Sequence, residues 1–144
     1  MPWSHTPSHS VDQPEHACAL IIDHRGWLLF ELRPRTARHA GDQLTCFGGK
    51  READEDALAC LRRELHEELR WTPTVATPCC DLRRGARWIA RFYRTELPRG
   101  TPLSPEPGRV AVYAPWSALP ALPISPWHQA VLAAVHAGRR TASC

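Results

Sequence analysis

The chain has 144 residues and a formal net charge of +3, with its basic residues spread along the sequence rather than gathered in one tract. This length fits a single domain that can bury a core without disulfides or a structural metal, and its longest apolar runs are far shorter than the roughly 20 residues that span a bilayer. Six cysteines without a CxxC pair indicate neither a zinc site nor a disulfide framework, so we expect reduced thiols and a cytoplasmic protein.

The first residues of the chain, MPWSHTPSHSVDQP, are rich in Ser, His and Pro. They contain no basic region followed by an apolar stretch and therefore do not form a secretory signal. We expect residues 1–14 to be a flexible lead-in and residues 15–140 to form one domain.

The first predicted elements are strands. Residues 16–23 and 27–33 are strand-like apolar runs separated by the short turn HRG, which is typical of a β-hairpin. The first run is apolar on both faces and is expected to be buried. Residues 44–47 predict a short strand that stops at a turn made by Gly48 and Gly49.

An amphipathic helix is predicted over residues 54–69. Its apolar residues recur at three- and four-residue spacings, the pattern of a helix packed by one face: Ala57, Leu58, Leu61, Leu65 and Leu69. Asp54 or Asp56 is the expected N-cap, because a carboxylate there accepts hydrogen bonds from the free N–H groups of the first turn.

The remainder of the chain predicts three more strands and a closing helix. The strand-like runs cover residues 75–80, 88–93 and 110–113, with a Pro-rich loop over residues 98–108. The helix covers residues 127–137 and ends at Gly138. Elements in this order favour an α+β or mixed α/β domain with helices packed on sheets.

Three carboxylates share one face of the first predicted helix. Glu64, Glu67 and Glu68 stand at positions i, i+3 and i+4, opposite the leucines. Like charges at this spacing repel each other, so the face is either a solvated surface or a site for a cation. Carboxylate oxygens favour hard ions such as Mg²⁺ or Mn²⁺, and Mg²⁺ commonly binds substrate phosphates as well. A metal-dependent enzyme acting on polyphosphates is one hypothesis, and a charged helix surface is the other.

The residues around this helix favour the first hypothesis. The pattern runs from Gly49 through Glu55, Arg63-Glu64 and Glu67-Glu68 to the apolar Trp71. Over residues 49–71 it resembles the Nudix box, the signature of the Nudix (MutT-like) hydrolases. The resemblance implies the Nudix α/β/α sandwich with a mixed β-sheet. Arg70 stands where the family usually has Gly, a residue that often caps a helix in the left-handed conformation, so we expect either a strained cap or a different exit from the helix.

The resemblance also implies a reaction. Nudix enzymes hydrolyse nucleoside diphosphates linked to another group X, by attack of water on phosphorus with Mg²⁺ or Mn²⁺ bound to the glutamates of the box. Carried over to this chain, the metal ligands are Glu64, Glu67, Glu68 and the carbonyl of Gly49. Glu64 is the first candidate for the general base, with Glu68 as its rival and Glu106, an acid in the later loop, as a weaker one.

Arg63 has an expected supporting role beside these acids. It can pair with Glu55, which the resemblance favours, or with Glu67 one turn further along the helix. Either pairing fixes the orientation of a carboxylate near the metal.

Three cations are candidates for contacts with substrate phosphates. Lys50, the single lysine of the chain, follows the glycine pair on the expected loop near the metal site. Arg33 and Arg35, at the end of the second strand, are weaker candidates for the same contact.

The box does not determine the substrate. The leading hypothesis is hydrolysis of a nucleoside triphosphate or modified dNTP to the monophosphate and pyrophosphate, which fits a small chain with no added domain. Cleavage of ADP-ribose, a nucleotide sugar or a dinucleotide is the alternative within the family. A nucleotide-sensing or RNA-binding Nudix domain without catalysis is the alternative of another class. We expect a small-molecule nucleotide as ligand and no membrane or stable nucleic-acid partner, and since family members are often dimers, a homodimer is a further expectation.

Overall fold

A computed structural model describes residues 13–144 of the chain. The predicted lead-in, residues 1–14, lies outside the described residues except for its last two. Pro14 is buried, and its carbonyl accepts a hydrogen bond from Nε of Arg51 at 2.9 Å. The described chain therefore begins packed beside the segment that follows the glycine pair.

Eight strands, two α-helices and one 3₁₀ helix make up the described residues. The strands are β1 (His16–Ile22), β2 (Leu28–Leu32), β3 (Leu44–Thr45), β4 (Phe47–Lys50), β5 (Thr77–Arg84), β6 (Arg87–Glu96), β7 (Val110–Ala114) and β8 (Thr141–Ser143). The helices are α1 (Ala57–Leu69) and α2 (Pro126–His136), and the 3₁₀ helix is Trp116–Ala121. The predicted hairpin, both α-helices and the three later strands are confirmed, with shifts of a few residues at their ends.

The strands form one mixed sheet in which β1 is central. β1 pairs antiparallel with β2 and β4, and it pairs parallel with β6 from His16 opposite Ala90 to Ile22 opposite Glu96. β5 continues the sheet beside β6 and carries β8, whereas β3 and β7 both pair with β2. β1 is therefore paired along both edges, and its residues 17–22, the unbroken apolar run ACALII, are buried as predicted.

The two α-helices cover opposite faces of this sheet. On one face, Leu61 of α1 packs in the same core as Ile21 of β1. On the other face, Leu132 of α2 shares a core with Leu20 of β1. Adjacent residues of β1 enter different cores because side chains alternate along a strand. This is the α/β/α sandwich with a mixed sheet that the resemblance implied.

The predicted turn at the glycine pair is wrong. Gly48 and Gly49 lie inside β4, where they pair with Cys18 and Ala17 of β1. Gly48 has a φ of 145°, and a Cβ at this position would collide with the backbone carbonyl of Ala17. The close approach of β1, and not a reversal of the chain, therefore requires glycine at position 48.

Two elements have no counterpart among the predicted ones. β8 is the short segment TAS, which pairs parallel with β5 just past residue 140. Three residues are too few to show a periodic pattern, so only the pairing defines this strand. The 3₁₀ helix contains Pro120, a residue that sequence reasoning assigns to a loop. Within residues 13–144, no helix is long and apolar enough to cross a membrane.

Candidate active site

A side-chain cap marks the start of helix α1, and Glu64 and Glu68 of this helix face β4. Of the two predicted caps, the structure shows Asp56, whose carboxylate accepts a hydrogen bond from the backbone N–H of Ala59 at 2.8 Å. Leu65 is fully buried in the core beneath the helix. The three- and four-residue spacing then places Glu64 and Glu68 along the side of α1 that meets the glycine pair.

Glu64 lies directly against Gly49. A Cβ added at Gly49 would collide with the carboxylate of Glu64. The φ of Gly49 is not positive, so it is space for Glu64, and not a special backbone conformation, that requires glycine here. The Gly49 carbonyl also faces α1, because Sγ of Cys60 donates to it at 3.5 Å. The Glu64 side chain is 16% exposed, so its carboxylate remains within reach of solvent.

Glu68 is the most deeply buried of the three helix acids. Its Oε1 accepts a hydrogen bond from the backbone N–H of Gly48 at 3.1 Å, and its Oε2 lies 3.6 Å from Nη2 of Arg109. Burial raises the pKa of Glu68, and the neighbouring carboxyl group of Glu64 raises it further. Two carboxyl groups therefore meet where little water is available to separate their charges, an arrangement that a bound cation stabilises.

Glu67 differs from the other two acids. Its side chain is 52% exposed, and its Oε1 lies 3.4 Å from Nη1 of Arg63. Within residues 13–144, no three Asp, Glu, His or Cys side chains are already gathered as a metal site. The carboxyl groups of Glu64 and Glu68 lie next to each other, and Glu64 lies against Gly49. These carboxylates and the Gly49 carbonyl are hard oxygens that suit Mg²⁺ or Mn²⁺. Glu67 has to rotate to add a third carboxylate.

Arg63 connects α1 to the segment before it. Its Nη2 donates to Oε1 of Glu55 at 2.9 Å and to the carbonyl of Lys50 at 3.2 Å, while Nη1 donates to Oε1 of Glu64 at 2.9 Å. The Glu55 pairing favoured by the resemblance is present, and the contact with Glu67 is longer. Hydrogen bonds from Arg63 hold the pKa of Glu55 at about 2, well below its usual range. The arginine thus fixes one edge of the Glu64 carboxylate.

The sequence predictions missed two charged residues, Arg109, which lies beside Glu68, and Glu31, its partner. Nη1 of Arg109 donates to Oε2 of Glu31 at 2.7 Å, and the pairing of β2 with β7 brings the two segments together. Glu31 is 5% exposed and lies in the apolar run LLFEL. The sequence signal that could have identified this pair is Glu31, a carboxylate inside an apolar strand-like run, because a buried carboxylate is normally paired.

The loop between β6 and β7 places Glu106 next to α1. The backbone N–H of Glu106 donates to the carbonyl of Glu68, and that of Ser104 donates to the carbonyl of Leu69, both at 2.9 Å. The Glu106 carboxylate accepts a hydrogen bond from Nε of Arg109 at 2.7 Å and is 46% exposed. Glu106, the weaker candidate base, is therefore brought to the acids of α1.

The three candidate phosphate-binding cations lie in different surroundings. Lys50 ends β4 with an exposed side chain, directly after the glycine that faces the helix acids. Nη1 of Arg33 lies 3.8 Å from Oε1 of Glu31, which links this arginine to the site. Arg35 is 88% exposed and lies 3.3 Å from Asp42 in the same loop. Lys50 is therefore adjacent in sequence to the glycine that Glu64 packs against, Arg33 is connected to the site only through Glu31, and Arg35 lies on a surface loop.

Arg70, the departure from the box, keeps the backbone conformation that glycine favours. Its φ of 55° and ψ of 36° are left-handed, and its N–H donates to the carbonyl of His66 at 2.9 Å. A non-glycine residue in this conformation costs about 1 kcal/mol. Of the two expectations, the structure shows the strained cap and not a different exit from the helix.

Comparison with known proteins identifies the family. The sequence pattern of the NUDIX domain matches residues 12–135. Among curated proteins, no sequence matches this chain.

Several solved structures share the fold. A MutT protein from Methanosarcina mazei Go1 has a TM-score of 0.69 at 15% identity, over 88% of this chain and 96% of that one. The E. coli ORF135 protein has a TM-score of 0.64 at 26% identity, over 87% and 91%. The NUDIX domain of Shewanella oneidensis NrtR, solved with ADP ribose, has a TM-score of 0.63 at 14% identity, over 93% of each chain. Because the family pattern spans most of the sequence, the chain belongs to the Nudix family and is a pyrophosphohydrolase that acts on nucleoside diphosphate-linked substrates.

Proposed function

We propose that this protein hydrolyses a nucleoside triphosphate or a modified dNTP to the monophosphate and pyrophosphate, with Mg²⁺ or Mn²⁺ as its cofactor. The observation that supports this most strongly is that the carboxyl groups of Glu64 and Glu68 lie together, with Glu64 packed against Gly49. A divalent ion held by such hard oxygens commonly binds substrate phosphates at the same time.

The chain's own residues have distinct parts in this proposal. Glu64, Glu68 and the Gly49 carbonyl would hold the ion, and Glu67 would join them with its exposed side chain rotated toward them. When bound, the ion neutralises negative charge on the diphosphate oxygens. Arg63 holds Glu64 in one orientation through its bonds to Glu55 and to Glu64 itself.

Glu64 is a better candidate than Glu68 for the general base. Both oxygens of Glu68 already face donors, the N–H of Gly48 and the guanidinium of Arg109. Glu64 is the more accessible of the two, and a base has to lie within hydrogen-bond reach of the attacking water. In the proposed step the water oxygen bonds to phosphorus and one water proton passes to Glu64. The P–O bond of the phosphoanhydride breaks, and its electron pair leaves with the oxygen of the departing phosphate group.

Two cations are positioned to receive the rest of the polyphosphate. Lys50 is exposed at the end of β4, directly after Gly49, and Arg33 presents a planar guanidinium just after β2. Each can neutralise phosphate charge that the metal does not reach.

The neighbours in fold include both MutT proteins and a domain solved with ADP ribose. Proteins named MutT from Methanosarcina mazei and from Burkholderia pseudomallei superpose on most of this chain. A second candidate is ADP-ribose, because the NrtR domain that covers 93% of this chain was solved with that ligand. Both classes contain the pyrophosphate linkage that the proposed site needs.

A panel of substrates tests the proposal. Release of pyrophosphate or phosphate is measured with dNTPs, oxidised dNTPs, ADP-ribose and diadenosine polyphosphates, with Mg²⁺, with Mn²⁺ and with a chelator. Chelator-sensitive turnover of a triphosphate supports the proposal, and preferential turnover of ADP-ribose moves it to the second candidate. Tight nucleotide binding by folded protein without any turnover would overturn it in favour of a sensing domain.

A further inference from the structure

Arg109 connects three carboxylates that come from three different elements. Its Nε donates to Glu106 in the loop at 2.7 Å, and its Nη1 donates to Glu31 in β2 at 2.7 Å. Its Nη2 lies 3.6 Å from Oε2 of Glu68 in α1. Each guanidinium nitrogen therefore faces a different carboxylate, so the positive charge of Arg109 is surrounded by three acids.

The pair with Glu31 fixes the position of this guanidinium. Glu31 is 5% exposed, and a carboxylate at this depth needs a charged partner. Glu68 is 3% exposed, whereas the Arg109 side chain is 24% exposed. The arginine thus stands between a deeply buried anchor and the acid that we propose as a metal ligand.

Arg109 is not needed to hold the loop against α1. The backbone of the loop already donates to the carbonyls of Glu68 and Leu69, each at 2.9 Å. Glu106 is half-exposed, so solvent can satisfy its carboxylate. The contacts of Arg109 therefore place its positive charge near the acids and are not required to attach the loop.

We propose that Arg109, anchored on Glu31, is a built-in cation that pairs with Glu68 and Glu106 in the absence of metal and competes with a divalent ion for Glu68. This inference rests on the proposed function in taking Glu68 as a metal ligand. Arg109 is then a positioning residue, because it acts on the reaction through Glu68. It lowers the affinity of the site for divalent ions and holds the acids of the site together until an ion binds.

The test measures Mn²⁺ binding to the full chain by electron paramagnetic resonance, without substrate. The variants are Arg109→Gln, which removes the charge, and Arg109→Lys, which keeps it. A double variant, Glu31→Gln with Arg109→Gln, removes the charged anchor as well and protects the fold from an unpaired buried carboxylate. Arg91→Gln is the matched control, since it breaks the ion pair with Asp81 on β5 and β6.

We expect Arg109→Gln and the double variant to bind Mn²⁺ at least about threefold more tightly than the native protein, the size of effect typical of a partly exposed ion pair. Arg109→Lys and Arg91→Gln should stay close to the native affinity. Unchanged or weaker binding by Arg109→Gln overturns the proposal. If that variant does not fold, unchanged binding by the double variant overturns it in the same way.

Two further outcomes are also decisive. Tighter binding by Arg109→Gln but not by the double variant would show an effect of net charge and overturn direct competition. Failure of this proposal is separable from failure of the proposed function, because the latter is read from turnover by the native protein. Native turnover with no change of Mn²⁺ affinity in the variants rejects only the role of Arg109.

Discussion

Two regions of the molecule meet at the site and reach it by different routes. Residues 48–70 bring Glu64 and Glu68 to the glycine pair through one strand, one short connection and one helix. Residues 97–109 bring Glu106 and Arg109 to the same acids by crossing back over α1 before β7 pairs with β2. The comparison shows that Glu64 and Glu68 come from one continuous segment, whereas the cation beside Glu68 and the acid Glu106 come from a distant one.

The largest expected effect comes from the acid that we assign as base. Glu64→Gln should lower kcat by at least about 100-fold, because loss of a general base removes a contribution of that order. The measurement is pyrophosphate release in Mg²⁺, with circular dichroism to verify the fold. Glu52→Gln, at an exposed glutamate in the same network, is the control and should stay near native activity. Near-native turnover by Glu64→Gln would remove it from the mechanism.

The two glycines of the pair are required for different reasons, Gly49 for the space of the Glu64 carboxylate and Gly48 for the close approach of β1. Gly49→Ala forces its methyl group into the Glu64 carboxylate, so we expect an activity loss of about 10- to 100-fold from displacement of that group. Gly48→Ala collides with the backbone of β1 and has a positive φ, so it should instead destabilise the fold by more than about 1 kcal/mol. Urea unfolding and turnover of both variants check this, and equal loss of stability in the two would contradict it.

For the second region, residues 97–109, we expect a substitution to change the free energy of unfolding. Arg109→Met leaves Glu31 buried, with Arg33 at 3.8 Å as its remaining ion pair within residues 13–144, so we expect a loss of about 1–3 kcal/mol in the free energy of unfolding. Urea denaturation measures it. The control is Arg25→Met, because its partner Asp23 keeps backbone N–H bonds from Arg25 and Trp27. A loss no greater than that of the control would show that Glu31 does not depend on Arg109.

The strained end of α1 offers a substitution that should stabilise the protein. Arg70→Gly relieves a left-handed residue and should raise the free energy of unfolding by about 1 kcal/mol without changing kcat. The same change at Arg62, exposed in the interior of α1, should lower it by about 1 kcal/mol. Thermal unfolding compares the two, and effects of the same sign would argue against strain at Arg70.

The smallest effect is confined to acid solution. Since Arg63 lowers the pKa of Glu55 from 4.5 to about 2, the stability from this pair is complete above pH 4.5 and is lost as the pH falls toward 2. Glu55→Gln should therefore flatten the fall of the melting temperature within this window. Glu96→Gln, at an exposed residue of β6, should follow the native curve. Parallel curves for native protein and Glu55→Gln would contradict the assignment.

Spacing along the chain was enough to predict the segment from the glycine pair to the end of α1. The order of strands and helices, the helix face with Glu64, Glu67 and Glu68, and the family all follow from residues close together in sequence. The structure adds that Glu67 is turned outward while Glu68 is buried, a difference that helical spacing cannot show because both lie on one face.

The rest depended on residues that are far apart in the chain. Gly48 is explained by the carbonyl of Ala17, and Glu31 is explained by Arg109. β8 exists through its pairing with β5. Local sequence patterns predict helix faces and strand alternation because these features repeat within a few residues. The partner of a buried charge, or the backbone that approaches a glycine closely, depends instead on which strands become neighbours in the sheet. The three acids of α1 could therefore be predicted from one segment of the sequence. The position of Arg109 beside Glu68 depends on the pairing of β7 with β2, which only the tertiary structure shows.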